Sequence, residues 1–225
     1  MSSLLSALLL GLFLGVRHAT DADHVVAVTT LVARRQSARA ALSLGALWGL
    51  GHAFTLFVVG GAIILLGVVV PPRLGLLLEL GVALMLIGLG AMNLLAMPDR
   101  GQVNGTQAGH RHGHHRQGLR SVGIGVVHGL AGSAAVALLV LSSIHHAGWA
   151  LVYLLCFGGG TILGMMGLTT AMSVPLAAAA RRFGSIERRL AHLTGALSVA
   201  LGIFLVYQIG FVDGLFGAEP SWSPH

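Results

Sequence analysis

The chain has 225 residues, of which 55 % are hydrophobic and only 9 % are charged, and its mean hydropathy is +0.86. Soluble domains carry about a quarter charged residues, so this composition excludes a soluble enzyme, a disordered chain and a coiled coil. The net charge of +6 comes from arginines that lie between apolar stretches, which indicates membrane topology rather than nucleic-acid binding. The single cysteine, Cys156, excludes an intrachain disulfide framework and a cysteine-based zinc site.

Six apolar stretches are each long enough to cross a bilayer, which takes about 20 helical residues. They cover residues 4–33, 41–69, 74–97, 119–144, 148–178 and 189–211. The predicted fold class is therefore all-α, a polytopic membrane bundle of six transmembrane helices. Pro175 lies late in the fifth stretch and is predicted to kink or end that helix.

The arginines give the predicted orientation. All of them fall in the loops after the first, third and fifth spans, except Arg17 within the first span and Arg73 on the opposite side. Because cytoplasmic loops are enriched in basic residues, these three loops are predicted to be cytoplasmic. We therefore expect a multi-pass protein of the cell inner (plasma) membrane with both termini outside the cytoplasm.

The two halves of the chain are predicted to be inverted repeats. Residues 14–19, Leu-Gly-Val-Arg-His-Ala, align with residues 124–129, Ile-Gly-Val-Val-His-Gly. A second match pairs glycines of the third and sixth spans, Gly81 and Gly88 with Gly195 and Gly202. Each half has three spans, an odd number, so the second copy must be inverted, which is typical of transporters. The expected units are a three-helix repeat over 1–97, a His-rich cytoplasmic loop over 98–118, a second three-helix repeat over 119–212 and a short tail over 213–225.

Small residues are expected where these helices approach closely, because no hydrophobic effect drives membrane helices together. The candidate contact points are Gly45, Gly49 and the run Gly158, Gly159 and Gly160.

The first span contains charged residues at membrane depth. Residues 17–24 read Arg-His-Ala-Thr-Asp-Ala-Asp-His, and His18 lies roughly 22 Å into the span at 1.5 Å per residue. Each charge at the bilayer centre costs about 2.5–3.5 kcal/mol on insertion scales, so the cluster indicates a functional site. The structural alternative is a clamp in which Arg17 neutralises Asp21 or Asp23, and that leaves both histidines unexplained.

The spacing of these residues leaves two arrangements open. In a regular helix His18, Asp21 and His24 share an arc of about 120°, whereas Asp23 points away from His18. Either Asp21 is the ligand and Asp23 supports it, or the helix bends or unwinds here, as helices in transporters do. Imidazoles with carboxylates suit Ni²⁺, Co²⁺, Cu²⁺, Zn²⁺ or Fe²⁺, whereas Mg²⁺ and Ca²⁺ prefer oxygen ligands alone. The predicted metal ligands are His18, Asp21, Asp23 and His24, with Arg17 and Thr20 in support.

The pattern His18-x4-Asp23-His24 resembles the H-x4-D-H signature of the nickel/cobalt transporter family, which lies in a membrane helix and is needed for metal uptake. Residues 44–53 are similar to the family's Ser-Leu-Gly-His-Ser segment, which implies that His52 is a ligand. The chain lacks the family's acidic Leu-Gly-x-Asp-Thr-Ala-Thr-Glu motif and has six predicted spans where longer members have eight. It looks more like the compact branch known as urease accessory permeases.

One further histidine and a histidine-rich tract are predicted to bind metal. His128 matches His18 in the repeat, and the inverted symmetry places both near the central axis, so His128 is predicted to join the metal site. The loop between the halves contains an auxiliary metal-binding tract of the compositional kind, His110, His112, His114 and His115. A flexible loop fixes no ligand geometry, so a polar linker is the alternative for this tract. His145 and His146 at the end of the fourth span are interpreted as ordinary interfacial residues.

Together these features predict a secondary-type permease that imports a divalent transition metal ion, Ni²⁺ or Co²⁺, and that is not an enzyme. The metal is cargo, so no resident cofactor is expected, and the expected partners are the lipid bilayer and the ion, with no nucleic acid. A membrane potential of 100 mV favours entry of a dication by about 4.6 kcal/mol. The resemblance also implies handover to cytoplasmic nickel chaperones or to urease or hydrogenase maturation proteins.

Three other functions are alternatives to this one. An efflux permease would use the same site, loaded by the cytoplasmic His-rich loop. An intramembrane metal-dependent enzyme would need a general base beside the metal, and the H-E-x-x-H pattern of zinc proteases is absent. Haem ligation by a pair such as His52 and His128 would leave the two carboxylates of the motif unexplained.

Overall fold

A computed structural model describes residues 2–32, 37–67, 70–95, 118–131, 144, 146–182 and 186–222. Over these ranges the chain is helical and has no β-strand, which confirms the predicted all-α class. The helices are α1 (Ser2–His18), α2 (Ala22–Val32), α3 (Ala38–Leu66), α4 (Pro72–Leu95), α5 (described over 118–131), α6 (Ala147–Arg182) and α7 (Ile186–Tyr207). A π-helical turn, Gln208–Val212, continues α7.

Among the described residues, four segments are long and apolar enough to cross a membrane, namely Ala38–Leu66, Pro72–Leu95, Ala147–Ala178 and Arg189–Val212. They coincide with the predicted second, third, fifth and sixth spans. Large apolar side chains on these segments, such as Phe54, Leu66, Leu95 and Phe211, are exposed on the outside of the bundle. A fold with this much exposed apolar surface is a membrane protein. Of the predicted fourth span, 119–144, the structure describes residues 119–131 and residue 144.

The first predicted span, 4–33, is not one helix. Helix α1 ends at His18, a turn follows, and α2 begins at Ala22. The turn is closed locally, because the backbone N–H and the hydroxyl of Thr20 both donate to the Arg17 carbonyl, at 2.8 and 2.6 Å. Short polar side chains that satisfy the backbone in this way compete with helical hydrogen bonding. The helix is therefore interrupted inside the charged motif, which is the second of the two arrangements that the spacing left open.

Pro175 was predicted to kink or end its helix, and of these two outcomes the helix end is wrong, since α6 continues through Pro175 to Arg182. A proline removes one backbone donor, and membrane helices tolerate this because nearby hydroxyls and neighbouring helices can satisfy the freed carbonyl.

Glycines set the closest crossings between helices. Helix α1 runs parallel to α6, and Gly15 lies against the α6 backbone at Phe157 and Thr161. Helix α5 runs parallel to α3, and Gly125 lies against the α3 backbone at Trp48 and His52. The predicted contact points at Gly45, Gly49, Gly158 and Gly160 also lie at helix crossings, whereas an added Cβ at Gly159 would meet nothing within 4 Å.

Helices α4 and α7 pack antiparallel through a different set of glycines. Gly195 lies against Gly90, and Gly202 lies against Ala83 and Ile87. The predicted partners of these two α7 glycines in the repeat, Gly81 and Gly88, have nothing within 4 Å of an added Cβ. The glycine match between the two spans therefore does not extend to equivalent packing, because the α4 side of the crossing uses Gly90 instead.

We expect Gly125→Ala to destabilise the protein, because the new methyl group would overlap the Trp48 carbonyl on the facing backbone. Overpacking of this kind costs about 1–3 kcal/mol, which should lower Tm by a few degrees. Gly123→Ala on the same helix is the matched control, because a Cβ there meets nothing within 4 Å. Equal melting temperatures for the two purified variants would contradict this packing.

Candidate metal centre

Four imidazoles converge where the first span is interrupted. His18 is the last residue of α1, His24 lies in the first turn of α2, His52 lies midway along α3, and His128 lies on α5. The His24 ring is central, with its centroid 4.9 Å from that of His18, 5.3 Å from that of His52 and 4.2 Å from that of His128. The interruption turns α2 relative to α1, so that residues 18 and 24 face the same point.

The cluster is buried among aromatic side chains. His24, His52 and His128 are 1 %, 0 % and 2 % exposed. The Trp48 ring stacks on His24 at 5.7 Å between centroids, and Phe157 lies 5.5 Å from His18. Neither aromatic residue was predicted from the sequence to belong to the site. Trp48 could have been found, because it lies four residues before His52 and so shares its helix face.

The Asp23 carboxylate connects two of the four imidazoles. Its Oδ1 accepts hydrogen bonds from His24 Nδ1 at 3.1 Å and from the His24 backbone N–H at 2.8 Å. Its Oδ2 accepts one from His128 Nε2 at 2.7 Å. Asp21 plays the same part for His18, whose Nδ1 donates to Asp21 Oδ2 at 2.7 Å. A neutral imidazole that donates through one nitrogen presents a lone pair at the other, so the carboxylates select which nitrogens can bind a cation.

Three of the remaining ring nitrogens are buried and have no hydrogen-bond partner: His24 Nε2, His52 Nδ1 and His128 Nδ1. Leaving a buried polar atom without a partner costs about 1–3 kcal/mol, so a native structure retains one for a reason. In addition, the Nε2 atoms of His18 and His52 lie only 3.3 Å apart. A bound cation would give such buried lone pairs a partner.

Two overlapping groups of side chains have the geometry to hold a metal ion. One is His18, His24 and His52, and the other is Asp23, His24 and His128. Within each group, one ligand atom per residue lies within 4.8 Å of the others. His24 belongs to both groups.

The remaining predicted residues lie at the edge of the cluster or beyond the described ranges. The Asp21 side chain is 52 % exposed and reaches the cluster through His18. Arg17 is exposed, and none of the ion pairs found among the described residues joins it to Asp21 or Asp23, so the structural clamp is not formed. Thr20 contributes by stabilising the turn between α1 and α2, where its hydroxyl donates to the Arg17 carbonyl. The tract of His110, His112, His114 and His115 lies outside the described residues.

A cavity of about 390 Å³ begins at the cluster, where His18, Asp23, His24 and His128 line it. It continues between α4 and α7 to Glu79, Gln208 and Asp213. None of these three residues was predicted to belong to a site, because the contact between α4 and α7 that places them together is not visible in the sequence.

Comparison with known proteins identifies a relative over nearly the whole chain. The urease accessory protein UreH of Bacillus sp. (strain TB-90) is 35 % identical over 228 residues, which cover 95 % of this chain and 96 % of the relative. This relative is an accessory protein by name rather than an enzyme, in agreement with the prediction that this chain is not an enzyme. No family model and no solved structure matches the chain. The predicted likeness to urease accessory proteins is confirmed by this relative.

The contact between Trp48 and His24 gives a spectroscopic test of the site. We expect Co²⁺ to quench part of the tryptophan fluorescence of the purified protein, because a paramagnetic ion bound to His24 would lie next to this indole ring. Trp48→Phe should abolish most of the quenching, whereas Trp149→Phe, an exposed residue of α6, should leave it intact. Quenching that survives Trp48→Phe would place the ion elsewhere.

Proposed function

The chain belongs to the family of the urease accessory protein UreH, and from this premise we propose that it is a membrane permease that imports a divalent transition metal ion, Ni²⁺ or alternatively Co²⁺. The observation that carries the proposal is the set of buried imidazole nitrogens without a partner at the interrupted first span. Nitrogen-rich sites suit late divalent transition metals rather than Mg²⁺ or Ca²⁺. Urease is a nickel enzyme, so a role as its accessory favours nickel as the cargo.

The proposed ligands are the ring nitrogens of His18, His24 and His52. The Asp23 carboxylate stands behind His24 and raises its basicity, as carboxylates behind metal-bound histidines do. In the second group, Asp23 ligates directly, together with His24 and His128. Arg17 and Thr20 support the site through the turn that joins α1 to α2. We propose that the ion moves between these two groups with His24 as the shared ligand.

Paired contacts support an organisation as two inverted repeats, 1–97 and 119–212, joined by the loop 98–118 and followed by the tail 213–225. Gly15 of the first repeat packs on α6 at Phe157, and the aligned Gly125 of the second packs on α3 at Trp48. The two aromatic residues also have matching positions, because Phe157 lies beside His18 and Trp48 lies 5.7 Å from His128. Alternating motion of such halves exposes a central site to each side of a membrane in turn.

In this proposal the cytoplasmic His-rich tract buffers ions that leave the permease and holds them for nickel chaperones or urease maturation proteins. An exporter would use the same central site in reverse. Cell metal content distinguishes the two directions, since import raises it on expression and export lowers it.

The central test is uptake of radiolabelled nickel and cobalt by cells that express the wild type, His18→Ala, Asp23→Asn or His24→Ala. We expect near-total loss of uptake in all three variants with surface expression retained, because each removes a ligand or the group that orients one. His146→Ala is the control, since this exposed histidine lies outside the cluster and should preserve uptake. Uptake at the wild-type level in His24→Ala would refute the proposed site.

The auxiliary tract should affect affinity rather than transport itself. Replacing His110, His112, His114 and His115 with serine and glycine is expected to raise the apparent KM for nickel and to preserve the maximal uptake rate, because a flexible loop fixes no coordination geometry. Complete loss of uptake would show that the tract is part of the transport path.

A further inference from the structure

The cavity that starts at the histidine cluster runs toward one end of the bundle. Its inner end contains two imidazoles that are almost fully buried and carry a nitrogen without a partner, His24 and His128. Its walls are apolar side chains of α4 and α7, including Val82, Leu201 and Leu205. It reaches Glu79 near the beginning of α4 and Asp213 just beyond the end of α7. In the predicted orientation, this end of both helices lies outside the cytoplasm.

The cavity is large enough for a hydrated ion. Each water occupies about 30 Å³ of liquid volume, so an ion with six waters needs on the order of 200 Å³. The volume of about 390 Å³ exceeds this. The cavity therefore has room for an ion with several waters, which would be exchanged for imidazole nitrogens at the inner end.

The carboxylate at Glu79 is positioned by the tail of the chain. Trp222 Nε1 donates to Glu79 Oε1 at 2.8 Å, and the Trp222 ring packs against Gly75 one turn before Glu79. The tail is itself tied to the second carboxylate residue, because the Ser221 backbone N–H donates to the Asp213 carbonyl at 3.0 Å. The tail thus holds both acidic residues at the outer part of the cavity.

We propose that this cavity is the outer vestibule for the hydrated metal dication and that Glu79 and Asp213 attract the ion before it loses its water. This inference rests on the proposed function and adds to it an access route and two residues that set apparent affinity. A cleft with low-dielectric walls and charge of one sign raises the local concentration of counter-ions. Glu79 and Asp213 therefore attract the hydrated ion into the cavity. The histidine cluster then replaces its waters and transfers the ion.

The test is the concentration dependence of initial nickel uptake in Glu79→Gln, Asp213→Asn and the double variant. We expect the double variant to raise the apparent KM by roughly fivefold or more, with a maximal rate near that of the wild type and a weaker dependence on ionic strength. Glu219→Gln is the matched control, because this acidic residue belongs to the same tail but does not line the cavity. An unchanged KM in the double variant would overturn the inference.

A labelling experiment tests the same route independently of the tail's packing. In a Cys156→Ala background, Asp213→Cys should react in intact cells with a membrane-impermeant thiol reagent, and added nickel should slow the reaction. Reaction only in inside-out vesicles would overturn the inference, because the cavity would then open to the cytoplasm. If the wild type itself takes up no metal, the proposed function fails; if it takes up metal but the double variant matches it, only the vestibule fails.

Discussion

The site depends on one carboxylate that is shared between two helices. Asp23 accepts hydrogen bonds from His24 on α2 and from His128 on α5, so this one side chain links the interrupted first span to the second half of the chain. In apolar surroundings a carboxylate is tolerated only with such partners. The same two bonds occupy one nitrogen of each imidazole and leave the other nitrogen available. The hydrogen bonds that stabilise the Asp23 carboxylate therefore also leave one nitrogen of His24 and one of His128 free to bind a metal ion.

This arrangement requires the break between α1 and α2. With a continuous helix, Asp23 would point away from His18, so it could not lie behind the cluster to which His18 belongs. The turn at Thr20 and Asp21 is stabilised by bonds within the motif itself, so the residues that interrupt the helix are neighbours of the residues that bind. Close glycine crossings then bring α3 and α5 near enough for His52 and His128 to complete the cluster.

The features of the fold and of the site that depend on local sequence patterns could be predicted from the sequence. Apolar length predicted four of the spans, and the charged octapeptide, the similarity around His52 and the repeat at His128 predicted which residues come together. The break in the first span was only one of two alternatives. Apolar residues continue on both sides of the short turn, so the length of the apolar stretch does not reveal the turn. Trp48, Phe157 and Glu79 were not assigned to the site, since their places depend on crossings between helices distant in sequence.

The glycine pattern likewise predicted some helix crossings and not others. Glycine content correctly indicated close packing at Gly45 and Gly49, but the alignment of Gly81 and Gly88 with the α7 glycines did not predict the crossing, which uses Gly90. Composition indicates that helices can approach closely, whereas the register of a crossing is decided by the shape of both partners.

The most direct measurement is X-ray absorption spectroscopy at the nickel edge on the purified, nickel-loaded protein. A centre built on the four converging imidazoles predicts nitrogen and oxygen ligands with the multiple-scattering pattern of at least three histidine rings, reduced in His24→Ala. A spectrum of an ion surrounded by water or carboxylate oxygens alone, unchanged by that substitution, would contradict the assignment of these buried nitrogens to metal.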